Sequence, residues 1–323
     1  MKLETEQLLG TLEVFCKNIN RDLFCEIEEN TDEYPTRAFF WESEEKGEFN
    51  VLNLTIANGL ARLTDVELAI ESWQLTERRG TAGADDYYTP DREKRDNILD
   101  TDTEAERTEK YQSLWQLLNS NLREIQAFNL SAHHQLPNSL EWSHPYFNFC
   151  VVIGQTDDDE WMCLSPTIPN QVGFPNASSD FISGDAQILC DRSLGENTLA
   201  LASQIQTVLA ELTPIGIYGY YNGGYNYTYE YKIVGAASVT KARAFEQALQ
   251  AAEMLRVTTL NSVDTINLTS KNEKLFEFLN SKLRDIKAYH LSFWDIGYIY
   301  KIGQATTGDW LGISAIAEFE YNP

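Results

Sequence analysis

Apolar residues recur at helical spacing near the start of the chain, at Leu8, Leu9, Leu12, Phe15 and Ile19, and again at Leu201, Ile205, Val208, Leu209 and Leu212. Each run predicts an amphipathic helix. Pro35 to Glu42 reads as a strand, Ser43 to Gly47 as a charged turn, and Phe49, Val51, Leu52, Leu54 and Ile56 as a second strand, which together predict a hairpin. Further on, Ile215 to Tyr221, an Asn222-Gly223-Gly224 turn and Tyr225 to Val234 predict another, since Asn-Gly supplies the positive φ a tight turn needs. Thr64 with Glu67 forms a capping box for a helix through Trp73, loosely matched by Val239 to Leu255. Leu114, Trp115, Leu118, Leu122 and Ile125 make one apolar stripe, as do Leu275, Phe276, Leu279, Leu283 and Ile286, predicting two core-facing helices.

These stripes belong to a repeat. Leu117 to Leu130 (LLNSNLREIQAFNL) and Phe278 to Leu291 (FLNSKLRDIKAYHL) share eight of fourteen residues. Phe149 to Ser165 and Tyr298 to Ser314 share an IGQ triplet, a Trp six residues after its Gln and a Ser four residues beyond, with Thr156 to Glu160 and Ala305 to Asp309 as the turns of two closing hairpins. The chain is a tandem duplication. The spacing between copies falls from 161 to 149 residues, so the first copy carries twelve extra residues within Ser131 to Asn148. Each copy reads helix, hairpin, helix, helix, hairpin, an α+β pattern in which a mainly antiparallel sheet is covered by helices. The expected organisation is a first domain at 1–168, a Pro-, Asn- and Ser-rich linker at 169–193 and a second domain at 194–323. Within the first domain, the polar segment at about 76–109 reads as a mobile insertion.

Charge separates the copies. The chain has a net charge of -24, and residues 1 to 165 hold 33 acidic against 14 basic side chains, while 166 to 323 hold 16 against 11. An acidic surface repels nucleic acid and attracts basic partners, so a basic protein is the expected partner; solubility alone is the plainer alternative. MKLETEQLLG lacks an apolar signal region and no apolar run approaches the ~18 residues of a membrane span, which points to a cytoplasmic chain without membrane insertion. Five cysteines without C-x-x-C spacing fit reduced thiols rather than disulfides or a zinc site.

Candidate chemistry is sparse. His133, His134 and His144 cluster without metal-ligand spacing, and no G-x-S-x-G, phosphate-binding loop or dinucleotide fingerprint is present, so no metal, cofactor or catalytic residue is expected. Two stretches stand out. Glu26, Glu28, Glu29, Asp32 and Glu33 place five carboxylates before the first strand, either as a solvated loop or as a prong for Arg and Lys of a partner. Tyr225, Tyr227, Tyr229 and Tyr231 recur at period two, with Tyr218, Tyr220 and Tyr221 opposite. This aromatic face either packs on a neighbouring element or binds protein, with stacking on sugar as a lesser option.

Glu33-Tyr34-Pro35, Phe39-Phe40-Trp41-Glu42, the Leu118 to Leu130 segment and Val152-Ile153-Gly154-Gln155 together resemble the bacterial nuclease A inhibitor family, whose small members carry an EYP…FLWE strand and a VIGET…GIS closing hairpin. The resemblance spans Glu6 to Ile168, and in the second copy Lys274 to Ile316, where Gly312-Ile313-Ser314 matches the family's ending. It implies an α/β/α sandwich that tightly inhibits a sugar-non-specific DNA/RNA endonuclease by placing the acidic stretch before the EYP strand, together with the C-terminal end of the chain, in the nuclease active site. Carried over, the partner-binding set is Glu28, Glu29, Asp32, Glu33, Tyr34, Trp41 and Glu42. The first copy continues at Pro166 into the linker, and the second has Pro214-Ile215-Gly216 in place of EYP, so the family's two blocking elements fall in different copies. The alternative is an assembly module that binds proteins through the Tyr-rich face of the second copy.

Overall fold

The computed structural model describes residues 2–17, 36–82, 99–132, 149–168, 188–220, 226–260, 270–293 and 296–318. In chain order they form α1 (Leu3–Cys16), β1 (Arg37–Trp41), α2 (Ser43–Lys46), α3 (Val51–Ala57), β2 (Ala61–Thr64), α4 (Val66–Ala82), α5 (Thr101–Asn121), β3 (Arg123–Leu130), β4 (Phe149–Gln155), β5 (Trp161–Pro166) and β6 (Ile188–Cys190). There follow α6 (Glu196–Glu211), β7 (Ile215–Tyr220), β8 (Asn226–Tyr231), β9 (Ile233–Ser238), α7 (Lys241–Ala251), β10 (Leu255–Thr259), α8 (Ser270–Lys282), β11 (Leu283–Phe293), β12 (Ile296–Ala305) and β13 (Trp310–Glu318). The class is α+β, as the sequence predicts.

The chain divides into two compact units. One contains α1, β1, α2, β10, α8 and β11 to β13; the other contains everything from α3 to α7. In the first, an antiparallel sheet has the order β1-β13-β12-β11-β10. Leu8 and Leu12 of α1 and Leu275 and Leu279 of α8 bury one face of it against Ile299 and Ile313. Aromatic rings fill the opposite face: Phe49 lies 4.7 Å from Trp310, 5.6 Å from Trp41 and 5.6 Å from Tyr289.

In the second unit the sheet order is β2-β3-β4-β5-β9-β6, antiparallel except for β6 beside β9. Phe245 of α7 packs edge-on to Phe128 on one face, and α4 and α5 lie over Asn129 and Cys150 on the other. A separate two-stranded sheet, β7 with β8, accompanies them.

The repeat maps α1 and β1 onto α6 and β9, α3 onto α7, β2 onto β10, α5 onto α8, and β3 to β5 onto β11 to β13. Strand pairing crosses this symmetry. β1 of the first copy pairs with β13 of the second, with Trp41 opposite Trp310, and β9 of the second pairs with β5 of the first, with Ser238 opposite Trp161. The compact units are therefore not 1–168 and 194–323; each sheet draws strands from both copies. The two first strands sit in the same register on the two closing hairpins, so local pattern leaves the choice of partner open and tertiary contacts decide it.

Other differences are local. The segment expected as a second strand at Phe49 to Ile56 is helix α3, because its buried residues Val51, Leu52, Leu54 and Thr55 follow an i, i+1, i+3, i+4 pattern. No hairpin forms there, and the charged turn at Ser43 to Gly47 is the one-turn α2. Asp65, not Thr64, caps α4, its Oδ1 accepting from the N–H groups of Glu67 and Leu68 at 2.8 and 3.1 Å. The repeated fourteen residues are not one helix. Each is a helix end, a bend and a strand, so Leu122, Ile125, Leu283 and Ile286 belong to the bend and strand. The bend carries a left-handed residue at equivalent places, Glu124 at φ 48° and Asp285 at φ 50°, and the ladder shifts register at both. The IGQ glycines sit beneath it: a Cβ on Gly154 would lie 3.0 Å from Leu122 Cβ, and one on Gly303 2.8 Å from the Arg284 carbonyl oxygen.

The expected hairpins β4–β5 and β12–β13 are present. β7 and β8 also pair as expected, but the strand stops at Tyr231, and Ile233–Ser238 joins the six-stranded sheet; the Asn222-Gly223-Gly224 turn lies outside the described residues. β2 and β10 carry no legible signal at the edges of their sheets. The expected linker contributes β6, and the expected insertion is helical at both ends, with only 83–98 outside the described residues.

Candidate functional site

Glu28, Glu29, Asp32, Glu33 and Tyr34 lie outside the described residues, in the stretch joining α1 to β1. Trp41 is buried, with 2% of its surface exposed. Its Nε1 donates to the Gly47 carbonyl at 2.9 Å, and the Lys46 ammonium sits 5.4 Å from the ring. Glu42 is half-buried, and its carbonyl accepts the N–H of Lys46 at 2.8 Å. Trp41 thus belongs to the core rather than to a partner-facing surface. Of the tyrosines, Tyr225 is outside the described residues, Tyr227 and Tyr229 stand on β8 opposite Gly219 and Ile217, and Tyr231 is 2% exposed. The Tyr231 hydroxyl reaches the Trp73 carbonyl of α4 at 3.5 Å, so this ring also packs inward, because apolar contact with α4 outweighs exposure.

Antiparallel pairing brings the start of β1, at Arg37 opposite Ser314, to the end of the sheet where β13 runs out. The start of β1, an edge strand, and the last residues of β13 beside it therefore lie at the same end of the sheet. The other end of that pair is pinned by Asp309 in the β12–β13 turn, which accepts from the Thr5 hydroxyl at 2.7 Å and the Ser43 N–H at 3.1 Å. Burial alone raises the pKa of this carboxyl, but the bonds from Thr5, Ser43 and Thr307 outweigh that and hold it below the usual value. Asp158, in the equivalent turn of the first copy, accepts from the Thr198 N–H of α6 at 2.9 Å.

The first copy also has an element without a counterpart among the described residues of the second. Between β2 and α5 it carries α4, 17 residues long, whereas β10 and α8 are separated by residues 260–269. Ala69, Ile70 and Trp73 of α4 are buried, and Trp73 Nε1 donates to the Cys150 carbonyl at 2.8 Å. One turn on, Glu77 is 2% exposed and takes a bidentate Arg107 at 2.7 and 2.8 Å, while Tyr111 OH donates to it at 2.6 Å. Arg107 also donates to the Thr213 carbonyl at 2.9 Å. Burial lowers the guanidinium pKa, yet the Glu77 carboxylate more than compensates, and burial beside Glu77 pushes the Tyr111 phenol well up. The cluster is saturated with internal hydrogen bonds and ties α4 to α5, which is how so polar a segment becomes ordered.

Beside this tie, α4 and α5 leave a groove of about 820 Å³. Leu68, Leu75 and Trp115 line it, Glu67 and Glu71 stand at its rim, and Asn129 and Cys150 of the sheet form part of its floor. The groove has no signature in the sequence, because beyond Trp73 the apolar periodicity of α4 gives way to a polar run. The repeated motif residues, by contrast, are scaffold: Gln155 and Gln304 each donate across their own turn at 3.2 Å, to Asp159 and Gly308.

Among the described residues no cluster of His, Cys, Asp or Glu is arranged to hold a metal, and no helix is long and apolar enough to cross a membrane. Cys150 and Cys163 are buried thiols, and burial raises the pKa of both. Compared with known proteins, the chain matches no family model, no curated protein and no solved structure.

Proposed function

We propose that this is a non-enzymatic inhibitor of the bacterial nuclease A inhibitor type, folded as two α/β/α sandwiches, that binds and blocks a basic protein, most specifically a sugar-non-specific endonuclease. The observation that carries the reading is the β1–β13 pairing, with Arg37 opposite Ser314. In the family it resembles, the acidic stretch before the EYP strand acts with the C-terminal end; here those two elements lie in different copies, and the pairing supports the reading because it sets the strand that follows the first beside the strand that precedes the second. The -24 charge supports the choice of a basic target, because opposite charge speeds encounter and suppresses wrong partners. The alternative, assembly through the Tyr-rich hairpin, loses Tyr231 to the core.

The test is inhibition of a sugar-non-specific nuclease by the full chain. Inhibition is expected, and replacing Glu28, Glu29 and Asp32 by Gln, Gln and Asn should slow association at least about tenfold at low salt. Absence of both inhibition and complex formation would overturn the reading.

A further inference from the structure

The groove between α4 and α5 belongs to the second unit, whereas the β1–β13 edge belongs to the first, so it is a separate feature with its own chemistry. Among the described residues α4 has no counterpart between β10 and α8. Its walls are mixed: Leu68, 57% exposed, and the half-buried Leu75 and Trp115 form apolar stretches among polar neighbours such as Gln74 and Gln112. Its rim is acidic. Glu67 and Glu71 are one helical turn apart on the same face of α4, a spacing at which like charges repel, with Glu67 in the first turn where the helix dipole favours it. Arg78, the cation in the lining, is engaged by Glu104 at 3.2 Å. At the floor, the buried Oδ1 of Asn129 finds no hydrogen-bond donor among the described residues.

We infer that this groove binds a cationic amphipathic helical segment of a protein partner, its Leu- or Phe-like residues against Leu68, Leu75 and Trp115 and its Lys or Arg beside Glu67 and Glu71. Two helices flanking a partly apolar trough is the arrangement that receives a third helix by its apolar face. Size argues for a peptide rather than a free amine: about 820 Å³ lies high in the range of roughly 300–1,000 Å³ that holds a drug-sized ligand, and a linear polyamine would leave the apolar stretches uncovered.

The test uses the full chain and a short synthetic helical peptide of alternating Leu and Arg faces, followed by Trp fluorescence and calorimetry. Saturable binding is expected, weakened about tenfold or more by Glu67→Gln with Glu71→Gln, with the spectral change lost in Trp115→Phe and little binding of an otherwise identical peptide carrying Glu for Arg. Equal binding of the Glu peptide, or insensitivity to the double variant, would overturn the electrostatic assignment. Spermidine binding as tightly as the peptide would overturn the macromolecular one, and no peptide binding would overturn the site. Circular dichroism of each variant checks that α4 is retained. No nuclease enters the assay, so its outcome is independent of the inhibitor reading.

Discussion

Thr5 donates its hydroxyl to Asp309 at 2.7 Å, across 304 residues of chain. The bond ties the first helix to the last hairpin and belongs to a set of contacts, with the β1–β13 and β5–β9 ladders, through which each copy completes the other's sheet.

Cutting the chain between the copies should therefore not separate them. With a protease site placed at 170–176, cleaved protein should elute from gel filtration as a single species of full mass and yield two fragments only in denaturant. Two half-mass species under native conditions would contradict the exchange.

The Glu77–Arg107 pair should be worth far more than a surface ion pair. Glu77→Gln leaves a buried guanidinium without its counter-charge and should cost about 3–5 kcal/mol in urea unfolding. Glu77→Met with Arg107→Leu should cost less than either single change, because it removes both charges together.

The bends over the IGQ glycines give a graded prediction. Gly303→Ala meets a backbone oxygen at 2.8 Å, which cannot turn aside, whereas Gly154→Ala meets the Leu122 side chain at 3.0 Å. Overpacking of this kind costs about 1–3 kcal/mol, and Gly303→Ala should be the worse of the two by thermal unfolding.

His290 occupies in the second copy the place that Asn129 holds in the first. Burial, with Lys301 on β12 and Arg256 on β10, lowers its pKa from 6.5 to about 4. The unfolded chain takes up this proton near pH 6.5 and the folded chain only near 4, so the contribution is full above 6.5 and is lost as pH falls between those values. His290→Asn should flatten stability across that interval, and an unchanged pH profile would remove the histidine as its source.

Much of the local structure was legible. The amphipathic first helices, the strand ending at Trp41 and the two IGQ hairpins follow from periodicity and turn chemistry. Val51, Leu52 and Leu54 fit both a strand and a short helix, and only burial separates the two. The bend after Asn121 and Lys282 hides inside a continuous apolar stripe, because Leu122 and Leu283 suit a helix as well as a strand. Glu77 and Arg107 look like surface charges until α4 and α5 bring them together. Trp41 enters the partner-binding set through the family resemblance and Tyr231 the aromatic face through its period-two spacing, yet each fills a core position. The pairing of β1 with β13 has no local signature at all.

Synthesis imposes an order on that pairing. β5 emerges from the ribosome before β9, and at about 5–20 residues per second β13 follows β1 by on the order of tens of seconds. Through that interval β1 and the apolar side of α1 are without their final neighbours, while β5 offers an unclaimed edge in the register β1 could use. The nascent chain thus faces an early, nearby mate and a late, distant one. Whatever keeps β1 from the first until the second exists decides whether one polypeptide matures into two interlaced sheets or two unlinked ones.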